Sequence, residues 1–167
     1  MINKINKLSQ SEFVKVFANI FENATWIADE LYKLKPFLDF DELSLKMINI
    51  FEKTSKEKKL KILNNHPDLG NKAKITSLTI DSLKEQKSVG LDQCTKEEFK
   101  EFKKLNDEYK KFGFPFILAV KNKSKFEILS NFKKRINSEP QAEFEEAIKQ
   151  VKKIASLRLE SLNSKNI

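Results

Sequence analysis

Thr95-Lys-Glu-Glu-Phe-Lys-Glu-Phe-Lys-Lys-Leu-Asn-Asp-Glu-Tyr109, then Lys-Lys-Phe-Gly113, then Phe114-Pro-Phe-Ile-Leu-Ala-Val120: these residues contain a helix start, a helix stop and the longest apolar run of the chain. Thr95 with Glu98 three residues later is a capping box, in which each side chain satisfies a backbone N–H at the helix start. Phe99, Phe102, Leu105 and Tyr109 then recur at helical spacing, so the segment after Thr95 is predicted to be an amphipathic helix. Gly113 stops it. The run from Phe114 to Val120 is apolar on every side and holds a proline, which predicts an extended buried segment rather than more helix. That run is also far short of the roughly 18 residues needed to span a bilayer.

The same reading extends in both directions. Ser124 and Glu127 open another helix with Ile128, Leu129 and Phe132 inside, and a last helix from about Glu139 sets Phe144, Ile148, Val151, Ala155, Leu159 and Leu162 on one face. Toward the N-terminus, a helix is expected to start near Asp81 or Ser82, after a stretch from Asp68 to Ile80 that has no period and reads as a surface loop long enough to carry function. Ser55 caps a helix bearing Leu60 and Leu63, which must end near Asn65 because His66 precedes Pro67. Apolar stripes at Leu43, Met47, Ile50 and Phe51 and at Trp26, Ile27, Leu31 and Leu34 are separated by Pro36. Ser9 and Glu12 cap the first amphipathic helix, with Phe13, Phe17, Ile20 and Phe21 on its face.

Composition agrees with this pattern. At 167 residues the chain fits one domain, 1–167, and 40% hydrophobic residues with 14 Phe provide for a sizeable core. Three Gly and four Pro are too few for the turns of a sandwich or barrel, so the fold is expected to be all-α, a single compact domain of about seven to nine helices. No internal repeat, linker or sustained heptad interrupts it. One cysteine, Cys94, excludes an internal disulfide and fits a reducing compartment. With no apolar leader at the N-terminus and no Ser-Lys-Leu ending, the expected location is cytoplasmic. The net charge of +8 raises the question of a nucleic-acid or other anionic partner. Yet only Arg135 and Arg158 are arginines, and the lysine runs at 56–61 and 100–104 are interleaved with Glu, the pattern of solvated helix faces.

Few residues invite chemistry. His66 is the only histidine, placed at a helix end where the backbone turns, and histidine exchanges a proton near neutral pH; the plain alternative is a helix cap or surface residue. Ser82, Glu85 and Gln86 fall at i, i+3, i+4 and present a hydroxyl, a carboxylate and an amide on one face. The pattern alone favours the plainer reading, an ordinary helix start with Ser82 as N-cap and Glu85 as its capping-box partner. Arg158 lies beside the apolar face of the last helix, where a guanidinium needs either a carboxylate partner or a planar polar ligand. Arg135 follows Lys133 and Lys134 and reads as part of a solvated run. No phosphate loop, nucleophile elbow or His-Glu-x-x-His occurs, and one histidine without a paired ligand speaks against a metal site.

Three motifs taken together, His66-Pro-Asp-Leu-Gly70, Leu78-Thr-x-x-Ser82-x-x-Glu85-Gln86 with Gly90-Leu91, and Phe112-Gly-Phe-Pro-Phe-Ile117, resemble those of 2-oxo-4-hydroxy-4-carboxy-5-ureidoimidazoline (OHCU) decarboxylases. The likeness runs from the first amphipathic helix to Ile154-Ala-Ser-Leu-Arg-Leu-Glu160. It implies an all-α homodimer that needs no cofactor and no metal and performs the last step in converting urate to (S)-allantoin, acting on a small molecule rather than on nucleic acid or membrane. By the same resemblance His66, Glu85 and Arg158 are the catalytic residues, with Arg158 holding the substrate. Pro67, Ser82 and Gln86 line the pocket, and Phe116 and Ile117 belong to the segment whose backbone binds the ring. Asn71 stands where the family often has a second glycine, and Lys87-Ser88-Val89 replaces a stretch usually richer in Ala and Gly; neither touches the matched catalytic positions. Two other classes compete: a basic helical nucleic-acid-binding protein, and a catalytically inactive scaffold for a partner helix. The filled catalytic positions favour the enzyme.

Overall fold

Three capping boxes read from the sequence are formed. Ser9, Thr95 and Ser124 accept from the backbone N–H of Glu12, Glu98 and Glu127, and each glutamate reaches back to the cap's own N–H. The computed structural model describes residues 2–71 and 78–165. In chain order its helices are α1 (Ile2–Lys7), α2 (Gln10–Phe17), α3 (Thr25–Tyr32), α4 (Phe40–Lys53), α5 (Lys56–Asn65), α6 (Ile80–Ser88), α7 (Lys96–Tyr109), α8 (Lys125–Arg135) and α9 (Pro140–Ser164), with short 3-10 turns at Leu91–Gln93 and Lys110–Phe112. No strand occurs among the described residues, and the fold is all-α. Nor is any described helix long and apolar enough to cross a membrane.

The chain divides into two compact units, Met1–Ile62 with Lys152–Ile167, and Leu63–Val151. In the first, Phe13, Phe17, Phe21, Ile27, Leu31, Leu43, Met47 and Phe51 are buried, and the rings of Phe21 and Phe51 stack at 4.8 Å. Three expectations change here. A short helix, α1, precedes the Ser9 cap, and the Asn6 carboxamide pairs with both backbone groups of Phe37 (2.8 and 2.9 Å). Helix α2 ends at Phe17, so Ile20 and Phe21 are buried from the turn that follows rather than from a helix face. Leu34 lies beyond the end of α3 and is 43% exposed.

In the second unit the segment after Gly113 is extended and buried, as its composition implied: Phe114 and residues 116–120 have little contact with solvent. An extended chain without a sheet leaves backbone groups to be satisfied by side chains. Arg135 of α8 donates to the Ile117 carbonyl (2.7 Å), and the Ala119 N–H donates to Gln150 of α9 (3.0 Å). Phe116 and Phe132 stack at 3.9 Å and nearly parallel, with Tyr109 set edge-on to both.

Candidate active site

His66 sits in a bend just past the end of α5, its N–H donating to the Leu63 carbonyl (3.1 Å), and it is 8% exposed. Pro67 ends the helix by removing an N–H donor and restricting His66 to non-helical backbone. The chain then turns through Leu69 and Gly70, and three side chains from two helices hold that turn. Gln86 of α6 donates from Nε2 to the Asp68 carbonyl (3.3 Å) and accepts at Oε1 from the Gly70 N–H (3.2 Å). Asn106 of α7 donates to the Leu69 carbonyl (3.0 Å). The Phe102 ring packs directly under Gly70, whose φ is +64°.

Gly70 is required on two counts: it lies in the left-handed region, and a Cβ there would come within 2.7 Å of the Phe102 ring. A non-glycine residue in that region costs about 1–3 kcal/mol before any clash is counted. Gly70→Ala is therefore expected to lower the unfolding free energy by at least that much, seen as a lower urea midpoint at unchanged slope, and an unaltered midpoint would contradict the geometry.

Helix α6 starts earlier than its sequence suggests. Thr79, not Ser82, is the N-cap, and its hydroxyl accepts from the Ser82 N–H (3.3 Å). The reading of Ser82 and Glu85 as a capping box is thereby corrected: both lie inside the helix, Ser82 buried and Glu85 half-buried, on one face with buried Gln86. Of the surface loop expected from Asp68 to Ile80, residues 72–77 lie outside the described residues. Cys94 is an unactivated thiol, since burial, followed by the nearby Glu98 carboxylate, pushes its ionisation up. Among the described residues no group of three or more His, Cys, Asp or Glu is placed to hold a metal.

Phe116 and Ile117 are buried in the same unit as His66, Ser82, Glu85 and Gln86. Arg158 belongs to the other unit, on α9, and is 8% exposed; its Nη1 donates to the Asn19 carbonyl (2.8 Å) and to Glu22 (3.0 Å). The carboxylate partner that the sequence left open is thus present.

The turn carrying the lone histidine is braced by the glutamine of the Ser-Glu-Gln helix face, which brings two of the three motifs together. The profile described as OHCU decarboxylase matches residues 6–160. The chain belongs to the OHCU decarboxylase family. It is 37% identical to the 2-oxo-4-hydroxy-4-carboxy-5-ureidoimidazoline decarboxylase of Halalkalicoccus jeotgali, over 96% of this chain and 90% of that one. It is 40% identical to the uric acid degradation bifunctional protein of Bacillus sp. strain TB-90, over 96% of this chain but only 32% of that protein, so it spans about a third of the bifunctional relative's length. Among solved structures, an (S)-allantoin synthase superposes with a TM-score of 0.77 at 30% identity, covering 97% of this chain and 54% of that one. As a family member the chain is a carboxy-lyase of urate degradation that takes OHCU to (S)-allantoin.

Sequence reasoning on this family member missed four residues. Arg135 was read as solvated, and the structure corrects this: it is 7% exposed, with Nε 2.9 Å and Nη2 2.5 Å from Glu143 Oε1, and its guanidinium lies 4.6 Å over the Phe116 ring. The signal was available in the spacing, since Ile128, Phe132 and Arg135 fall on one helical stripe. Glu143 likewise lies on the stripe of Ala147 and Val151, and the Tyr109 hydroxyl donates to it. Burial and that hydrogen bond raise the Tyr109 ionisation well above the ordinary phenol range. Asn106, the fourth, interrupts the apolar face formed by Phe102, Leu105 and Tyr109. Its Oδ1 is buried without a partner among the described residues, a condition that costs about 1–3 kcal/mol.

Proposed function

We propose that His66, Glu85 and Arg158 carry the decarboxylation and that Pro67, Ser82, Gln86, Phe116 and Ile117 shape the pocket. Support for His66 comes from its place at the start of a turn whose backbone at Asp68, Leu69 and Gly70 is held by side chains of two helices. In the reaction the bond from the ring to the carboxylate breaks, CO2 leaves, and the electron pair moves into the adjacent C=N to give an enol. Protonation of that enol on one face yields (S)-allantoin. The imine of the substrate accepts the electrons, so the chain supplies acid–base chemistry and orientation.

His66 delivers the proton, and Glu85 orients or recharges the imidazole; a placed acid contributes about 10²–10⁴ in rate. Arg158 holds ligand oxygens and fixes the ring so that the carboxylate stands out of its plane. Ser82, Gln86 and the backbone of Phe116 and Ile117 pair with the N–H and C=O groups of the ring and ureido arm. We take residues 1–167 as one functional domain acting without a cofactor, in the cytoplasm and as a homodimer, on the strength of the family likeness; the homodimer is checked by light scattering, which should return twice the mass of one chain.

The test generates the short-lived substrate in situ from urate with urate oxidase and hydroxyisourate hydrolase, and follows optically active allantoin by circular dichroism. The rate should rise in proportion to added protein. A rate equal to spontaneous decay would overturn the proposal.

A further inference from the structure

We propose that Asn106 is a positioning residue for the reaction, holding the turn that aims His66. The inference rests on the reading of His66 as the proton donor and goes beyond it, since Asn106 belongs to none of the motifs that suggested the site. Every other residue of α7 facing this part of the core is apolar: Phe102, Leu105 and Tyr109 are buried around it. A leucine would match the asparagine in size and continue the stripe. The carboxamide instead puts one buried atom to use and strands another, with Nδ2 donating to the Leu69 carbonyl (3.0 Å) and Oδ1 lacking a partner among the described residues.

For folding alone that exchange is close to neutral. Replacing the carboxamide by an isobutyl group would orphan the Leu69 carbonyl but remove the orphaned Oδ1, so one unsatisfied acceptor takes the place of another. What the leucine could not do is tie α7 to the turn. The bond to Leu69 reaches the chain three residues after His66, and together with the Gln86 clamp and the Phe102 ring under Gly70 it leaves the turn a single seat. A donor whose contribution to stability is small, fixed to the turn that follows a reacting side chain, is understood as orientation. Misplacement by about 1 Å can cost a hundredfold in rate.

The experiment compares the parent, Asn106→Leu, His66→Ala and the double variant. Asn106→Leu should melt within about 3 °C of the parent, lower kcat at least about tenfold, and leave KM within about twofold. Because His66 is the only histidine, its imidazole Hε1 resonance is unambiguous, and its position and titration midpoint should both move in the leucine variant. In the His66→Ala background the same substitution should change the rate no further, since non-additivity marks residues that act through one another. Unchanged kcat, an unmoved Hε1 resonance, or an equal loss in the His66→Ala background would each overturn the proposal. Full activity of His66→Ala would instead overturn the role of His66 itself. Should Asn106→Leu fold poorly, Asn106→Ser, too short to reach Leu69, is read by the same measurements, and wild-type kcat in it is equally decisive against the proposal.

Discussion

Purified His66→Ala protein is expected to produce (S)-allantoin about 10²–10⁴-fold more slowly than the parent, the span that one placed acid supplies, while keeping its helical circular dichroism spectrum and melting temperature. Activity should fall without the fold because His66 lies past the end of α5 and because the turn after it is held by Gln86, Asn106 and Phe102 through backbone and ring contacts. Glu85→Ala, on an interior position of α6 and half-buried, should follow the same pattern. The product that remains would form by spontaneous decay and would lack the optical excess of the enzymatic product. Near-wild-type turnover by the His66→Ala variant would remove the imidazole from the mechanism.

Arg135→Ala is expected to have the largest effect on stability, about 3–5 kcal/mol, the range found when one member of a buried ion pair is removed. Glu143 is 1% exposed, and without the guanidinium it retains only the Tyr109 hydroxyl as a named partner for a full negative charge. The same substitution orphans the Ile117 carbonyl and removes the cation over the Phe116 ring. Against a total stability of roughly 5–15 kcal/mol, a loss of this size removes between about a fifth and all of the margin. Urea titration measures it directly. Restoring the charge alone, in Arg135→Lys, should recover only part of the loss, because an ammonium cannot meet the carboxylate, the carbonyl and the ring face at once. A shift below about 1 kcal/mol for Arg135→Ala would show that the pair is not the anchor its geometry implies.

What the sequence revealed and what it concealed follow from the range of the interactions involved. Capping boxes are local, spanning three residues, and Ser9, Thr95 and Ser124 each start a helix as read. The buried extended run after Gly113 was legible because no helix or surface strand is apolar on all sides while holding a proline. His66 and the Ser82–Glu85–Gln86 face were legible as motifs. That Gln86 reaches across to the turn of His66 was not, since that bond joins residues sixteen positions apart. Arg158 was recognised as a guanidinium in need of a partner, but Glu22, 136 positions away, sits in a turn whose sequence gives no hint of burial. Arg135 was misjudged because two adjacent lysines suggested solvent, whereas its spacing from Ile128 and Phe132 pointed inward. Patterning with a helical period outranks the character of sequence neighbours, and the misreading came from weighting them the other way.

The placement of the scarce aromatic side chains gives the two units separate optical signals. Trp26, the only tryptophan, lies in the unit that includes Met1–Ile62, with the Lys58 ammonium 4.6 Å over its ring, so its emission reports on that unit alone. Tyr109 lies in the unit Leu63–Val151, and its phenol resists ionisation for as long as it stays buried against Glu143. In an alkaline stopped-flow experiment on a Tyr32→Phe background, which leaves Tyr109 as the one phenol, the appearance of phenolate absorbance therefore times the opening of the unit that carries His66, while tryptophan emission times the other. Coincident traces would mean that the halves of the chain come apart in one step; separated traces would give each its own rate, with no label added to the protein.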